Sequence, residues 1–143
     1  MEYGITDLDN IIGGMQSGLH ILAARPSMGK TSFALDILMN NIAKYDSKPA
    51  IYFSLEMSQE CIAKRILVKQ ERLTFESMRH DIVLDTMGIR FKVDTCLLDL
   101  ESKNVFIKDT SNSNIDSIIL AIREKHIASG GLSIAIVDYL QLI

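Results

Sequence analysis

One stretch of eight residues constrains the fold of this chain more than any other. It nearly matches the loop pattern G-x-x-x-x-G-K-[S/T], with an apolar run at residues 19–24 before it and a helical pattern from Lys30 onward. In that strand-to-helix setting, backbone N–H groups and the positive end of the helix surround a phosphate group. The residues of this candidate phosphate loop are Ala24, Arg25, Pro26, Ser27, Met28, Gly29, Lys30 and Thr31.

Individual positions of the phosphate loop predict its chemistry. Lys30 offers a mobile positive charge to the phosphate, and the Thr31 hydroxyl is placed to bind a Mg²⁺ ion. Ala24 stands where the pattern has glycine, and alanine fits there if its φ angle is negative. Pro26 fixes its own φ angle and pushes Arg25 toward extended geometry, which stiffens the loop.

The composition predicts one folded domain without a general affinity for polyanions. The chain has 143 residues, 48% of them hydrophobic, and a net charge of −3, so any contact with nucleic acid must be local. No apolar run approaches the ~20 residues that span a bilayer, and no export signal is visible, so we expect a cytoplasmic protein without membrane contact. Cys61 and Cys96 lack metal-ligand spacing, which favours reduced thiols.

Strand and helix patterns alternate along the chain, which predicts an α/β fold with a parallel sheet flanked by helices. The predicted strands are residues 19–24, 50–54, 105–108 and 132–137, and the last is apolar enough to be covered on both faces. The predicted helices are residues 6–12, 30 to about 46, 59 to about 72 and 115 to about 129, with weaker fragments at 74–79 and 95–101.

Local signals set the ends and the buried faces of these helices. Thr6 and Asp9 resemble a capping box, and Gly13 with Gly14 would end that helix. Ser58 is a candidate cap for the helix that follows it. Two apolar stripes predict core-facing sides: Phe33, Ala34, Ile37, Leu38 and Ile42 in one helix, and Ile115, Ile118, Ile119, Ile122 and Ile127 in another.

Two carboxylates follow predicted strands at the edge where parallel sheets bind ligands. Asp138 comes directly after the last strand, where it would lie near Thr31 and hold Mg²⁺ through a bound water. Glu56 stands two residues past the strand 50–54, where it could polarise the water that attacks a γ-phosphate. Both also have a structural interpretation, since strands often end in polar residues. By position alone, that interpretation is slightly favoured for Glu56.

Three motifs, in order along the chain, resemble those of one protein family. They are RPSMGKT at residues 25–31, FSLEMS at 53–58 and VDYLQL at 137–142, and they resemble the bacterial replicative DNA helicases of the DnaB family. Gly4, Leu8, Asp9 and the Gly13-Gly14 pair are similar to that family's entry into its motor domain. The resemblance covers most of the chain and is weakest over residues 73–104.

The resemblance implies a RecA-like P-loop NTPase core that uses ATP and Mg²⁺. Such cores form a homo-hexameric ring that travels along single-stranded DNA and unwinds the forked duplex, with primase and a helicase loader as candidate partners. The resemblance assigns phosphate contact to Lys30, Mg²⁺ binding to Thr31 and Asp138, and activation of water to Glu56. It also makes Ala24 an accepted variant of the loop.

Against that family, residues 1–143 are expected to form a partial RecA-like ATPase domain, incomplete at its C-terminal side. This sequence lacks the family's N-terminal domain, its linker helix, and the later segments with a γ-phosphate sensor, DNA-contacting loops and an arginine finger. One of those segments supplies the strand between the phosphate-loop strand and the strand of Asp138. We therefore expect a partly exposed sheet, and little hydrolysis by this chain alone.

Other functions remain open from the sequence. A RecA-like ATPase could serve recombination, which a strand-exchange assay would detect. A non-catalytic fragment would only associate with intact helicase subunits, and it would depress their activity while showing none itself. A small-molecule phosphotransferase would need an acceptor pocket and an arginine-bearing lid, and the middle of the chain shows neither.

Overall fold

The computed structural model describes residues 2–44, 48–70, 86–110 and 114–138. The predicted fragment at 74–79, the end of the helix before residue 48 and the last part of the VDYLQL motif lie outside these ranges. The helices are α1 (Thr6–Ile12), α2 (Lys30–Lys44), α3 (Gln59–Gln70), α4 (Thr86–Ser102) and α5 (Ile115–Ala128). The strands are β1 (Ala50–Ser54), β2 (Val105–Asp109) and β3 (Ile134–Asp138). None of the described helices is long and apolar enough to cross a membrane.

The three strands form a parallel sheet in the order β2-β1-β3, which confirms the predicted fold class. β1 lies in the centre and all five of its residues are buried, as expected for a parallel strand covered on both faces. The register pairs Ser54 at the end of β1 with Asp109 on one side and Asp138 on the other. All three strands therefore end at the same edge of the sheet.

Helices pack on both faces of the sheet because neighbouring residues of β1 point to opposite faces. Tyr52 belongs to a core cluster built with α2, α3 and α4, while Phe53 packs in a second cluster with α5. The first cluster contains Ala34, Leu35, Leu38, Ile42, Ala50, Tyr52, Ile62, Ile66, Cys96, Leu100 and Val105. The second contains Ile51, Phe53, Leu55 and Ile118.

The stripe predicted for α2 is confirmed, and the cap predicted for α3 is present. Ala34, Ile37, Leu38 and Ile42 are buried, and Phe33 is half-buried. The Ser58 hydroxyl accepts the backbone N–H of Cys61 at 3.3 Å, which satisfies a donor of the first turn of α3.

The capping box predicted for α1 is wrong in one residue. The helix begins after Ile5 rather than at Thr6, and Ile5 makes no side-chain cap. Asp9 does bond back as predicted: its carboxylate accepts the backbone N–H groups of Tyr3, Gly4 and Ile5 at 2.7, 2.9 and 3.1 Å. The helix ends at Gly13, whose φ of 79° is a left-handed cap.

The strand predicted at residues 19–24 is also wrong, because none of the described strands pairs with this segment. Its side chains are open to solvent: Leu19 is 87% exposed and Ile21 is 74% exposed. An extended apolar segment becomes a strand only when a neighbour supplies the hydrogen bonds of the ladder. The missing ladder agrees with the expectation of an incomplete sheet, and pairing with a strand outside the described residues stays a prediction.

Two expectations about the α5 side of the sheet fail for a related reason. Only Ile118 of the α5 stripe is buried, Ile122 is half-buried, and Ile115, Ile119 and Ile127 are exposed. β3 is not covered on both faces either, since Ala135 is exposed and β3 is an edge strand among the three. The periodicity of α5 identifies its apolar face, but the sheet beneath that face is too narrow to cover it.

Candidate nucleotide-binding site

The phosphate loop begins with a tight turn. The Met28 N–H donates to the Arg25 carbonyl at 3.3 Å, with Pro26 second in the turn and Ser27 third at a φ of 64°. These features match a type II turn, which favours proline second and needs a positive φ third. A non-glycine residue in this conformation costs about 1–3 kcal/mol, and such strain is often found where backbone contacts a ligand.

The loop then passes directly into α2. Gly29 has a φ of 84° and accepts the first helical hydrogen bond from Phe33 at 2.9 Å. A Cβ added at Gly29 would meet no atom within 4 Å, so it is the backbone angle that requires glycine there. Ala24 is not among the described residues with positive φ, so alanine causes no strain at the start of the loop. Residues 24–29 are all exposed, and the positive end of α2 faces the same solvent.

Asp138 joins β3 to the start of α2. The carboxyl group is largely buried, and its Oδ2 accepts a hydrogen bond of 2.7 Å from the Thr31 hydroxyl. The other oxygen, Oδ1, lies 3.7 Å from Lys30 Nζ. The structure therefore brings together Lys30, Thr31 and Asp138, which the sequence singled out although Thr31 and Asp138 are 107 residues apart.

The Lys30–Asp138 ion pair is loose. At 3.7 Å it is longer than a charge-assisted hydrogen bond, and the Lys30 side chain keeps 26% of its exposure while that of Asp138 keeps 9%. Attraction between partly solvated charges is weak enough for a stronger anion to compete for the ammonium group. Lys30 can thus serve a phosphate without leaving the neighbourhood of Asp138.

Tyr52 is a member of this cluster that our sequence reasoning missed. Its side chain is fully buried, and its hydroxyl donates to Asp138 Oδ2 at 2.8 Å. Burial, followed by the negative charge of Asp138 and the hydrogen bond to it, raises the pKa of Tyr52 above its ordinary value, so the hydroxyl stays protonated and remains a donor. A tyrosine in an otherwise apolar strand could have signalled a buried partner, because buried tyrosine hydroxyls are usually hydrogen-bonded.

Glu56 lies in the loop that follows β1 at the same edge of the sheet. The loop is held by the Met57 N–H, which donates to Ser54 Oγ at 3.1 Å, and by the Leu55 N–H, which donates to the Asp138 carbonyl at 2.9 Å. Glu56 itself is exposed, and its carboxylate makes no hydrogen bond or ion pair with the described residues. It is therefore near the cluster but is not joined to it.

Comparison with known proteins decides the family. The family model for the DnaB-like helicase C terminal domain matches residues 1–143, the whole chain. This chain belongs to the DnaB-like helicase C-terminal domain family. The resemblance identified from the three motifs is confirmed.

Similar proteins place this DnaB-like domain within longer chains. Over 141 residues it is 42% identical to the replicative DNA helicase DnaB of Buchnera aphidicola subsp. Baizongia pistaciae and 38% identical to that of Haemophilus influenzae. Each alignment covers 98% of this chain and 30% of the relative, so the chain spans about a third of their length. A solved structure of a helicase ATPase domain matches 98% of this chain and 49% of its own, with a TM-score of 0.79 and 26% identity.

The residues of this DnaB-like domain fit a magnesium-bound nucleotide. Mg²⁺ prefers hard oxygen ligands, keeps several waters, and is usually held by one or two protein groups together with substrate phosphates. The Thr31 hydroxyl and the Asp138 carboxylate supply such oxygens beside the phosphate loop. No group of three metal-ligating side chains was found in the described part of the chain, which suits an ion that arrives with its phosphates.

Proposed function

We propose that this chain is the nucleotide-binding portion of a replicative DNA helicase. In the whole protein, ATP hydrolysis would drive movement along single-stranded DNA and unwinding of the duplex. The observation that carries the proposal is the 2.7 Å hydrogen bond between Thr31 and Asp138, which fixes the metal-binding groups next to the phosphate loop. Membership of the DnaB-like family and the names of the relatives support the same function.

The proposed binding roles follow from the chemistry of each group. Backbone N–H groups of the phosphate loop would contact the phosphates, and Lys30 would move its ammonium group from Asp138 toward the β- and γ-phosphates. Thr31 would bind Mg²⁺ directly, and Asp138 would hold a water of the ion. The ion would neutralise charge that develops on the phosphates during transfer.

Glu56 is proposed to orient and polarise the attacking water. Its exposed carboxylate on the loop after β1 leaves it able to approach a γ-phosphate that lies over the phosphate loop. The short bonds that hold Ser54, Leu55 and Met57 support this role, because they fix the backbone on both sides of Glu56. Catalytic contacts often form only when the substrate is bound, so the absence of a partner among the described residues does not count against the role.

The parent protein is proposed to be a cytoplasmic homo-hexamer that acts on single-stranded or forked DNA with a primase and a helicase loader. The names of the relatives support the DNA and the replication setting. This chain is proposed to be a partial RecA-like domain, so the contacts with DNA and the hydrolytic arginine belong to the rest of the parent. Its net charge of −3 supports that division, since binding of polyanions needs basic surface. No observation favours the recombination ATPase.

The test is binding of a fluorescent ATP analogue in the presence of Mg²⁺. Lys30→Ala should weaken binding by at least tenfold, because it removes the charge that contacts the phosphates. Lys92→Ala is the matched control, since Lys92 is exposed on α4 and its replacement removes the same charge elsewhere. Equal binding by both variants and the unchanged chain would contradict the proposed site.

A further inference from the structure

We propose that Tyr52 is a positioning residue that fixes the Asp138 carboxylate so that one of its oxygens is kept for the shell of the bound Mg²⁺. The inference rests on the proposed function, because it assigns Tyr52 a part in the binding of magnesium-nucleotide. It goes beyond that function, since neither the phosphate-loop pattern nor the three family motifs includes residue 52.

The register of the sheet explains why Tyr52 can reach Asp138. Tyr52 pairs with Ile136 on β3, and Asp138 follows Ile136 by two residues. Residues two apart on a strand share a face, so Tyr52 and Asp138 are diagonal neighbours on the same face of the sheet. A tyrosine ring spans the separation of a diagonal pair, and the hydroxyl arrives 2.8 Å from Oδ2.

The two oxygens of Asp138 have different surroundings. Oδ2 accepts both described hydrogen bonds, from Tyr52 at 2.8 Å and from Thr31 at 2.7 Å. Oδ1 instead faces Lys30 at 3.7 Å, on the side of the phosphate loop. Once Lys30 turns to a phosphate, Oδ1 is the oxygen that can accept a hydrogen bond from a water on the ion. Two donors on Oδ2 restrain rotation of the carboxylate better than Thr31 alone.

Tyr52 is also well suited to hold one position. Its ring is fully buried in the cluster that includes Leu38, Ile62 and Ile66, so the hydroxyl cannot swing into solvent. The Thr31 hydroxyl, in contrast, must change its surroundings when it binds Mg²⁺. Tyr52 is therefore the contact to Asp138 that remains the same in the free and the nucleotide-bound chain.

The experiment compares Tyr52→Phe with the unchanged chain, since phenylalanine keeps the packing and removes only the hydroxyl. Affinity for a fluorescent ADP analogue is measured in EDTA and then across a Mg²⁺ titration. We expect affinity in EDTA to stay within about twofold, while the Mg²⁺ concentration that gives half of the tightening rises about tenfold, as for other residues that orient metal ligands. Tyr3→Phe is the matched control: it removes a hydroxyl that bonds His20 at 2.8 Å, away from Asp138.

The outcomes separate this inference from the proposed function. An unchanged Mg²⁺ midpoint in Tyr52→Phe, or equal losses in EDTA and in Mg²⁺, would overturn the positioning role and leave Tyr52 a core residue. If the unchanged chain itself shows no Lys30-dependent binding, the proposed function fails and this inference fails with it. Urea unfolding of the nucleotide-free variants gives a second measurement: Tyr52→Phe should cost stability in the chain with Asp138 but much less in Asp138→Ala, because its partner is then absent.

Discussion

Replacing Gly4 by alanine tests how the N-terminal segment is attached to the helix that carries the binding residues. Gly4 has a φ of 77°, and a Cβ built on it would collide with the side chain of Asn40 on α2. Asn40 Nδ2 also donates to the carbonyls of Tyr3 and Gly4 at 3.3 and 3.1 Å. The substitution therefore strains the backbone and pushes the segment off α2.

The cost can be worked out from these two effects. Left-handed backbone costs a non-glycine residue about 1–2 kcal/mol, and relief of a close contact by shifting the backbone costs about 1–3 kcal/mol. Gly4→Ala should thus lower the free energy of unfolding by about 3 kcal/mol. With an m-value of about 2 kcal/mol/M, the urea midpoint falls by about 1.5 M.

Gly13→Ala is the control because it separates strain from contact. Gly13 has nearly the same φ, 79°, but a Cβ there meets no atom within 4 Å. Only the strain remains, so the expected loss is about 1–2 kcal/mol. Urea unfolding followed by far-ultraviolet circular dichroism measures both variants. Equal shifts in the two midpoints would show that the Gly4–Asn40 contact does not hold the segment, and the reasoning would be refuted.

Three further predictions concern the site and the thiols. Thr31→Ala should abolish most of the Mg²⁺-dependent tightening of nucleotide binding while Thr31→Ser retains it, since serine keeps the hydroxyl; equal titration curves would contradict the metal role. Glu56→Gln should leave binding of magnesium-ATP within about twofold but lower single-turnover hydrolysis in the whole helicase by at least about 100-fold, the usual size of a general-base effect; unchanged hydrolysis would remove Glu56 from the mechanism. Burial, followed by the charge of Asp99, raises the pKa of Cys96, so at pH 8 the folded chain should react with Ellman's reagent at Cys61 only and at both thiols in urea; two fast thiols in the folded chain would contradict the buried position of Cys96.

The sequence predicted those parts of the structure that depend on local pattern. β1 has the predicted bounds of Ala50–Ser54, and α2 begins at Lys30 with the predicted stripe buried. A short apolar run between turn signals and a stripe of helical period each specify their own element. The proximity of Thr31 to Asp138 was also predictable, because the ends of parallel strands meet at one edge of the sheet.

Features that depend on distant partners could not be predicted in the same way. The apolar segment at residues 19–24 has the composition of a strand, but its pairing is decided by whether a neighbour is present. The exposure of Ile119 and Ile127 depends on how much sheet lies beneath α5. The bond from Tyr52 to Asp138 depends on the register between β1 and β3, which no local pattern records.

Functional sites of this kind depend on the register as much as on the motifs. The pairing of Ser54 with Asp138 places the end of β3 beside the loop that carries Glu56. A shift of one residue would move Asp138 to the other face, away from Thr31 and Tyr52. The buried β1 strand, which fixes this register on both sides, is therefore as important for the site as the phosphate loop.

The most direct test of the central claim is a crystal structure of this chain with ADP and Mg²⁺. We predict that the β-phosphate lies within hydrogen-bond distance of the backbone N–H groups of Gly29 and Lys30. We also predict that the ion contacts Thr31 Oγ1 and is joined to Asp138 Oδ1 through a water. Phosphate bound elsewhere on the chain, or an ion that contacts neither Thr31 nor a water held by Asp138, would contradict the account.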